Sequence, residues 1–347
     1  MGIMTNSIFF PAEWHPQSAV QLTWPHEATD WCEMLDEVLP CFVQIATEVL
    51  KREKLVVVCP DAQEVRRALG SVSSERLKLV ECASNDTWAR DHAGISVFVD
   101  GRPTLLDFTF NGWGMKFASN LDNQITRKQF AQGVFQKQVD YRNCLGFVLE
   151  GGSIESNGAG TLLVTSDCLL SANRNDAMSE KEIDRFLKET FGLQHIHWIR
   201  HGYLAGDDTD SHVDTLVRFC DVNTIAYVLP PEDATDEHHA ALVQMEQELQ
   251  ALRNADGLPY RLIGLPMADP VYFEGERLPA TYANFLIING AVLYPTYNNP
   301  VKDALAAQQL QLAFPKHEVV GIPCLPLIKQ HGSLHCVTMQ YPEGFIA

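Results

Sequence analysis

Short apolar runs separated by polar turns recur along this chain in a regular order. Four times, two strand-like apolar runs flank a turn rich in Asn, Asp and Gly, which is a strong short-range signal for a β-hairpin. The turns lie near residues 100, 158, 222 and 289, roughly 60 to 65 residues apart. A spacing of this kind predicts a repeated structural unit.

A helix and another strand follow each predicted hairpin. Apolar residues at helical spacing predict helices over residues 123–135, 179–191, 234–253 and 301–314. Apolar runs predict the strands that follow over 147–149, 195–199, 261–265 and 318–322. The repeated unit is therefore two hairpin strands, a helix and a third strand.

A fifth unit is divided between the two ends of the chain. Strand-like runs at 19–24 and 334–340 each lack a hairpin partner, and a helical pattern over 31–52 and an apolar strand over 55–59 follow the first of them. If the two runs pair, five units close into a ring, which removes exposed sheet edges. The alternative is an ordinary α/β protein whose turns are evenly spaced by coincidence.

Polar motifs stand where the predicted units begin. They occupy residues 85–91, 150–153, 206–214, 281–284 and 335–336. In a closed ring the start of each unit points at the common axis. We therefore expect all five motifs to meet in one cavity.

The composition is that of a globular protein, and charge adds most to the picture. Of 347 residues, 46% are apolar and 20% are charged, and the formal net charge is −18. Such acidity argues against nucleic acid and anionic membranes as partners and favours a cationic substrate, although an acidic surface also serves solubility alone. Residues 1–7 lack a signal-like pattern and no apolar run approaches ~18 residues, which predicts a cytoplasmic protein without a membrane span.

Cys336 is singled out among nine cysteines. The odd number and the lack of any CxxC pair argue against a zinc ribbon and a disulfide framework. Cys336 begins an apolar run directly after a glycine-containing turn, where a thiol can face a cavity as a nucleophile. A packed core cysteine is the plainer interpretation. Zinc held by His331, His335 and Cys336 is disfavoured because no second pair of ligands lies nearby, so no metal is predicted.

His212 and Asp214 form the second candidate pair. On a strand, residues two apart point to the same face. A histidine and a carboxylate would thus enter the cavity together, the histidine as general acid and base and the aspartate as its partner or as a ligand for a cation. A structural, solvated pair is the alternative.

Carboxylates are concentrated in the motifs. Buried carboxylates need partners, and a planar guanidinium supplies bidentate hydrogen bonds to two of them. Arg90 could instead neutralise some of them internally, and Trp88 could stack on a cation or belong to the core. The acidic residues at the starts of the units are Asp86, Asp91, Glu150, Asp207, Asp208, Asp210 and Asp214.

Seven short motifs run in order over almost the entire chain. They are Asn85-Asp86-x-Trp88-x-Arg90-Asp91, Phe110-Asn111-x-Trp113-Gly114, Glu150-Gly-Gly-Ser-Ile154, Asn173-Arg174-Asn175, Asp208-Thr209-x-x-His212-Val-Asp214, Tyr282-x-Asn284-Phe285 and Gly332-x-x-His335-Cys336. This ordered set resembles the agmatine deiminase and bacterial-type peptidyl-arginine deiminase family. The resemblance implies the pentein fold, a five-bladed α/β propeller of pseudo-fivefold ββαβ repeats around a central active-site cavity, as a single domain over residues 1–347.

The resemblance also implies a role for each candidate residue. Cys336 would attack the guanidinium carbon, and His212 would act as general acid and base. Asp91 and Asp214 would hold the guanidinium nitrogens, with Glu150 completing the polar shell. The implied substrate-binding residues are Trp88, Asp86, Asp208 and Asn284.

The implied reaction is hydrolytic deimination through a covalent amidino-cysteine intermediate, without a metal or an organic cofactor. Agmatine is the favoured substrate, which gives N-carbamoylputrescine and ammonia as in putrescine biosynthesis. Free arginine, peptidyl-arginine, an amidinotransferase reaction and a non-catalytic binding propeller stay open as alternatives. The oligomeric state also stays open, with a homodimer among the options.

Two departures from the family pattern concern the far end of the substrate. Residues 330–334 read Gln-His-Gly-Ser-Leu, where the family commonly has a run of three glycines. Asp208 stands where agmatine deiminases usually carry glutamate, which is longer by one methylene. Both departures bear on the length of the substrate and not on the guanidine chemistry.

Overall fold

The structure is a computed structural model that describes residues 7–72 and 75–347. Most of the segment predicted to lack a signal pattern, residues 1–6, therefore lies outside the described residues. The strands, in chain order, are β1 (Ile8–Phe9), β2 (Gln17–Thr23), β3 (Lys54–Cys59), β4 (Leu77–Glu81), β5 (Ile95–Val99), β6 (Arg102–Thr109), β7 (Asp140–Val148), β8 (Ile154–Ser156), β9 (Thr161–Thr165), β10 (His195–Ile199), β11 (Val217–Asp221), β12 (Thr224–Val228), β13 (Arg261–Leu265), β14 (Tyr272–Phe273), β15 (Glu276–Arg277), β16 (Leu286–Ile288), β17 (Ala291–Thr296), β18 (Glu318–Pro323) and β19 (Thr338–Pro342).

Helices connect these strands, and short 3₁₀ turns stand at several motifs. The α-helices are α1 (Leu35–Leu50), α2 (Ala62–Leu69), α3 (Ala89–His92), α4 (Gly112–Met115), α5 (Ile125–Ala131), α6 (Ser166–Leu169), α7 (Glu180–Phe191), α8 (His239–Ala251), α9 (Pro300–Ala313) and α10 (Leu325–Ile328). The 3₁₀ turns are Cys32–Met34, Gly70–Val72, Asp122–Gln124, Gly151–Ser153 and Val213–Thr215.

Four sheets repeat one plan. In each, an antiparallel hairpin is followed by a helix and by a third strand that runs parallel to the second hairpin strand. The strand orders are β1-β5-β6-β7, β10-β9-β8, β11-β12-β13 and β16-β17-β18. The predicted unit of hairpin, helix and strand is thereby confirmed.

The two ends of the chain meet in a further sheet, as predicted. β19 pairs antiparallel with β2, with Thr338 opposite Leu22, and β3 and β4 follow in parallel. The strand order β19-β2-β3-β4 repeats the same plan, with its hairpin strands drawn from opposite ends of the chain. β2 and β3 are buried almost throughout, which explains why their sequences read as nearly continuous apolar runs.

Among the elements that the apolar pattern did not predict, α2, β4 and the first half of β7 were missed because burial does not define them. α2 is mostly exposed, and its start is fixed by Asp61, whose side chain accepts a hydrogen bond from the Gln63 N–H (2.7 Å). β4 and the first half of β7 lie at the edges of their sheets. Polar side chains are tolerated there, since backbone pairing with a single neighbouring strand forms the element.

His212 and Cys336 lie in turns, so the prediction of strands at these residues was wrong. Val213 begins a 3₁₀ turn directly after His212. Before β19, Asn284 Oδ1 accepts the N–H groups of His335 (2.8 Å) and Cys336 (3.3 Å). These bonds occupy backbone donors that a strand ladder would use, and β19 consequently starts only at Thr338.

The largest apolar cluster extends up to the turns that carry the polar motifs. It contains fully buried aromatic side chains such as Phe42, Tyr282 and Phe285, and it also includes Trp88 and Cys336. A cavity wall built on such a core is rigid, because protein interiors are close-packed. Among the described residues, no helix is both long and apolar enough to cross a membrane.

Candidate active site

The polar motifs come together, as their positions in the repeat predicted. The Gly152 N–H donates to Asp91 Oδ1 (2.9 Å), which joins the first two motifs. The Asn284 side chain donates to the Asp214 carbonyl (3.4 Å) and accepts from the backbone of Cys336 (3.3 Å). Direct hydrogen bonds thus connect segments that lie far apart in the sequence.

These motifs border a pocket of about 420 Å³. Its lining includes four aspartates and one histidine, His331, and aromatic rings form much of the remaining wall. Such a lining favours a cation with an apolar stem. Of the residues predicted for the site, those that line the pocket are Asp86, Trp88, Asp91, Asp208 and Cys336.

The thiol of Cys336 lies at the buried end of this pocket. Its residue is 5% exposed, and its Sγ lies 3.4 Å from Asn284 Oδ1 and 4.0 Å from Asp214 Oδ2. Asn284 is fully buried, and its side chain contacts both the Cys336 thiol and the backbone of the turn that carries it. The structure therefore places Asn284 beside the nucleophile candidate and not among the lining residues.

Gly152 creates the space in which three functional groups meet. A Cβ at this position would lie 2.6 Å from His212 Nδ1, 2.8 Å from Asp91 Oδ1 and 3.3 Å from Asp214 Oδ2. The imidazole and the two carboxylates thus face the same small volume. His212 Nδ1 and Asp91 Oδ1 are 3.6 Å apart, which is too long for a hydrogen bond.

Two donors fix the orientation of Asp91. Trp113 Nε1 donates to Asp91 Oδ2 (3.0 Å), and the Gly152 N–H donates to Asp91 Oδ1. Trp113 reaches this position from α4 with a left-handed backbone (φ 54°), a conformation that is costly for a residue with a side chain. Sequence reasoning gave Trp113 no role, although it stands in one of the quoted motifs.

Three polar atoms at this point lack a hydrogen-bond partner within the described part of the chain. They are both ring nitrogens of His212 and Asp214 Oδ1. His212 is 1% exposed and Asp214 is fully buried. Buried polar groups are rarely left unpaired in proteins, so the site is built to receive hydrogen bonds from a ligand.

Burial sets the protonation states of the free site. It raises the pKa of the Cys336 thiol well above its usual value, with help from the charges of Asp214 and Asp91. It also raises the pKa of Asp91, an effect that Asp214 increases. Burial lowers the pKa of His212 to about 3. The free protein thus holds a thiol beside a neutral imidazole.

Glu150 lies near His212, but its carboxylate is paired with the guanidinium of Arg174. Arg174 Nε donates to both of its carboxylate oxygens (2.9 and 3.2 Å), and both side chains are fully buried. One group of described residues has the spacing of a metal site, with ligand atoms within 4.8 Å of one another. It consists of Glu150, Cys168 and His212. Because Arg174 already neutralises Glu150 in a buried ion pair, this cluster is not assigned as a metal site.

The outer half of the pocket is acidic. Burial and the neighbouring Asp30 raise the pKa of Asp86 to about 7, and Trp88 Nε1 donates to Asp86 Oδ2 (3.0 Å). Burial and Asp207 raise the pKa of Asp208 to about 6. A bound cation would relieve this crowding of carboxylates, since opposite charge favours their ionised form.

The loop over residues 330–334 keeps one glycine of the family pattern, Gly332. A Cβ on Gly332 would lie 2.1 Å from the Trp88 ring, so the chain passes against that ring more closely than a side chain allows. His331 has a left-handed backbone (φ 67°), and its Nδ1 donates to the Gly206 carbonyl (2.7 Å). His331 and His335 thus have partners elsewhere and do not form a metal site with Cys336.

Arg90 lies apart from the pocket carboxylates that it was considered to neutralise. Its Nη1 donates to Gln340 Oε1 (2.7 Å), and its Nη2 lies 3.5 Å from Glu13 Oε2. Glu13 and His335 form a buried cluster with it that sequence reasoning missed. Glu13 lies outside every recognised motif, while His335 stood beside Cys336 and was considered only as a zinc ligand.

Comparison with known proteins places this chain among guanidine-modifying enzymes. The profile of the Porphyromonas-type peptidyl-arginine deiminase family matches residues 9–342. The curated agmatine deiminase of Stutzerimonas stutzeri (strain A1501) is 31% identical to this chain, with 98% of this chain and 97% of that protein covered.

Two solved structures are similar over the whole chain. A Porphyromonas gingivalis protein, provisionally named an arginine deiminase, superposes with a TM-score of 0.94 at 58% identity, covering 98% of this chain and 100% of that one. A cysteine-to-serine variant of C. jejuni agmatine deiminase with substrate bound superposes with a TM-score of 0.91 at 38% identity, covering 99% of both chains. The fold is therefore mixed α/β with pentein-type neighbours.

We expect Gly152→Ala to abolish turnover of any guanidine substrate, because the new methyl group would occupy the space shared by His212 and the two aspartates. A displacement of about 1 Å at a reacting centre can cost about 10²-fold in rate, and we expect at least that loss in kcat. Ammonia release measures it. Gly146→Ala is the matched control, since nothing lies within 4 Å of its added Cβ. Wild-type kcat in Gly152→Ala would contradict the assignment of this space.

We expect alkylation of Cys336 by iodoacetamide to accelerate steadily with pH. Because the pKa of this thiol is raised above its usual value of 9.0, its thiolate fraction should grow about tenfold per pH unit from pH 7 to 9. Mass spectrometry of the Cys336 peptide follows the reaction, with exposed Cys32 in the same digest as an internal reference. A rate that is already maximal at pH 7 would show that the resting thiol is ionised.

Proposed function

The chain belongs to the Porphyromonas-type peptidyl-arginine deiminase family, and we propose that it hydrolyses agmatine to N-carbamoylputrescine and ammonia. The observation that carries this proposal is the Cys336 thiol beside unpartnered buried atoms of His212 and Asp214, beneath a pocket lined with aspartates. A guanidinium presents a flat array of N–H donors and a positive charge, which match these acceptors. The agmatine deiminases among the relatives support the same reaction.

The proposal includes the architecture that the repeat implies. Residues 1–347 would form one domain in which five sheets surround the site as the blades of a pentein propeller, with β19 and β2 closing the ring. The pairing of β19 with β2 supports this closure. We also propose a cytoplasmic location, since the cysteines are free thiols. A homodimer is the oligomeric state to be tested.

The first half of the reaction forms a covalent intermediate. The Cys336 thiol gives its proton to His212 as sulfur bonds to the guanidinium carbon, which yields a neutral tetrahedral adduct. His212 then returns the proton to one nitrogen, the carbon–nitrogen bond breaks and neutral ammonia leaves. The cationic amidino group stays on Cys336, flanked by Asp91 and Asp214. This flanking charge offsets the cost of holding a cation in a buried site.

The second half consumes water. His212 takes a proton from a water molecule as its oxygen bonds to the same carbon. The carbon–sulfur bond then breaks, the remaining hydroxyl proton passes to sulfur, and the ureido product leaves with the thiol restored. His212 finally gives its proton to solvent, where the released ammonia takes it up as ammonium, so guanidinium and water have become the ureido product and ammonium. A positioned acid–base group of this kind is worth about 10²–10⁴ in rate.

The acidic mouth favours agmatine over arginine. Asp86 and Asp208 line the outer pocket and can meet the distal ammonium of agmatine. The α-carboxylate of arginine would instead face these aspartates without a lysine or arginine among the lining residues. Like charges at close range disfavour that arrangement. Arginine nevertheless remains the competing substrate, because the similar Porphyromonas gingivalis structure carries that provisional name.

A substrate panel tests the proposal directly. We expect ammonia release from agmatine, with kcat/KM at least about 100-fold above that for free arginine or a blocked arginine peptide. This ratio corresponds to about 2.7 kcal/mol of transition-state stabilisation. Cys336→Ala should be inactive, and Cys32→Ser, at an exposed cysteine, serves as the matched control. Faster turnover of arginine would reassign the substrate. Release from none of the three would favour a non-catalytic protein, and transfer to an added amine would indicate an amidinotransferase.

A further inference from the structure

The ring of His212 is not oriented by a hydrogen bond within the described part of the chain. Both of its nitrogens lack a partner there, although the residue is buried. Its backbone, in contrast, is held on both sides. The His212 N–H donates to Thr209 Oγ1 (3.2 Å), and the His212 carbonyl accepts from Thr215 Oγ1 (2.8 Å). The position of the imidazole therefore depends on the chain that carries it.

The chain reaches His212 through a strained turn, which spans residues 207–212. Asp210 (φ 66°) and Ser211 (φ 64°) are both left-handed, a conformation that is costly for residues with a Cβ. Two such residues in succession persist only where the surrounding contacts determine the backbone. The contacts of the 207–212 turn therefore decide where the imidazole lies.

Hydrogen bonds to the backbone attach this turn to its neighbours. Within the turn, the Asp207 carboxylate accepts from Thr209 Oγ1 (2.6 Å) and from the Ser211 N–H (2.7 Å). Thr165 Oγ1, at the end of β9, donates to the Ser211 carbonyl (2.6 Å). Arg174 Nη2 donates to the Thr209 carbonyl (2.9 Å). The turn is thereby fixed to β9 and to the loop that carries Arg174.

The Asp210 side chain adds a bridge between two cations. Its Oδ2 accepts from Arg174 Nη1 (2.5 Å), and its Oδ1 accepts from Lys116 Nζ (2.7 Å). Lys116 Nζ also donates to the Asp208 carbonyl (2.6 Å). Burial alone would raise the pKa of Asp210, but the hydrogen bonds from Lys116 and Arg174 lower it, which favours the ionised carboxylate. Asp210 does not line the pocket, so this charge serves the turn.

Lys116 connects the turn to a second part of the site. It directly follows α4, from which Trp113 Nε1 donates to Asp91 Oδ2 (3.0 Å). The ion pair between Lys116 and Asp210 therefore joins the segment that orients Asp91 to the turn that carries His212. One carboxylate thus helps to set the spacing between two groups that face the same volume.

We propose that Asp210 is a positioning residue, which holds the imidazole of His212 in the reactive volume by tying the 207–212 turn to Lys116 and Arg174. This inference rests on the proposed function, because His212 is the acid and base of that reaction. Asp210 touches no reacting atom, so it acts only through the turn. A carboxylate that merely stabilised the fold would leave the turnover of each folded molecule unchanged.

Asp210→Asn tests this role with little change in size. Asparagine tolerates a left-handed backbone, but its amide has one acceptor oxygen where the carboxylate has two, so it cannot serve both Lys116 and Arg174. We expect kcat for agmatine to fall about 10²-fold, as for a displacement of about 1 Å at a reacting centre. Circular dichroism checks that the variant is folded. Wild-type kcat in folded Asp210→Asn would overturn the proposal.

Asp184→Asn is the matched control. Asp184 lies in α7, its side chain is 27% exposed against 31% for Asp210, and it accepts from Lys188 Nζ (2.9 Å). Trp198 Nε1 donates to it as well (3.3 Å). The same substitution therefore removes an aspartate from a comparable pair of donors outside the pocket lining, and we expect kcat to be unchanged. An equal loss of kcat in both variants would refute a specific role for Asp210.

A double-mutant cycle tests whether Asp210 acts through its cations. Lys116→Met removes one of the two donors at a residue whose side chain is 39% exposed, so this variant also serves if Asp210→Asn does not fold. We expect a smaller loss of kcat than in Asp210→Asn. The double variant should be no slower than Asp210→Asn alone, because residues in one network are not additive. Losses that multiply would contradict the bridge.

The ring of His212 reports its position without any substrate. In free protein labelled with ¹³C-histidine, the ring carbon signals of His212 are assigned by their loss in His212→Gln. Asp210→Asn and Lys116→Met should shift or broaden these signals, whereas Asp184→Asn should leave them in place. Unchanged His212 signals in the first two variants would refute the positioning role.

The positioning role and the proposed function fail differently in these experiments. If the wild type releases no ammonia from agmatine, the proposed function falls, while the ring signals of the free protein still test the bridge at Asp210. If the wild type turns over agmatine and Asp210→Asn keeps both its kcat and its His212 signals, the proposed function stands and the positioning role is refuted.

Discussion

Two carboxylates, those of Asp91 and Asp214, converge on one buried volume beside a thiol and an imidazole. In water such groups would ionise independently, but burial ties each protonation state to the others. Burial favours the protonated thiol and the neutral imidazole in the free site. Under the proposed function, a bound guanidinium would lower the cost of the thiolate, so substrate binding would also activate the nucleophile.

The surrounding chain maintains this arrangement through close approach and directed hydrogen bonds. Gly152 lets three functional groups occupy a space that any side chain would fill. Trp113, in a left-handed conformation, holds Asp91, and Asn284 holds the turn that presents Cys336. Strained backbone at functional positions persists only where surrounding contacts determine it. The fold contributes the apolar core behind these turns, which keeps them from relaxing.

Much of the fold could be predicted because its signals are local. Asp100-Gly101 and Asn289-Gly290 specify hairpins through turn chemistry alone, and buried strands such as β3 read as apolar runs. The edge strands β4 and β7 could not be predicted well, since their backbone pairing leaves no side-chain pattern. The turn at Cys336 escaped for a different reason, because Asn284, a residue distant in sequence, takes the backbone donors that local propensity assigns to a strand.

The candidate site was predictable where function concentrates unusual residues. Cys336, His212, Asp91 and Asp214 stand in polar motifs at the starts of the repeats, and the repeat itself indicated that they meet. Arg174 and Glu13 were missed as supporting groups, because a buried ion pair is visible only when both partners are placed in space. The arrangement at His335 was likewise hidden, since its two carboxylate partners, Asp214 and Glu13, lie 121 and 322 residues away in the sequence.

The central claim is that Cys336 bonds covalently to the guanidinium carbon of agmatine. Wild-type enzyme mixed with isotopically labelled agmatine, quenched in acid within the first turnovers and digested, should yield a Cys336 peptide heavier by agmatine less ammonia. This peptide should disappear once the substrate is consumed. Continued ammonia release with no adduct on any cysteine, or with an adduct on a cysteine other than Cys336, would contradict the account.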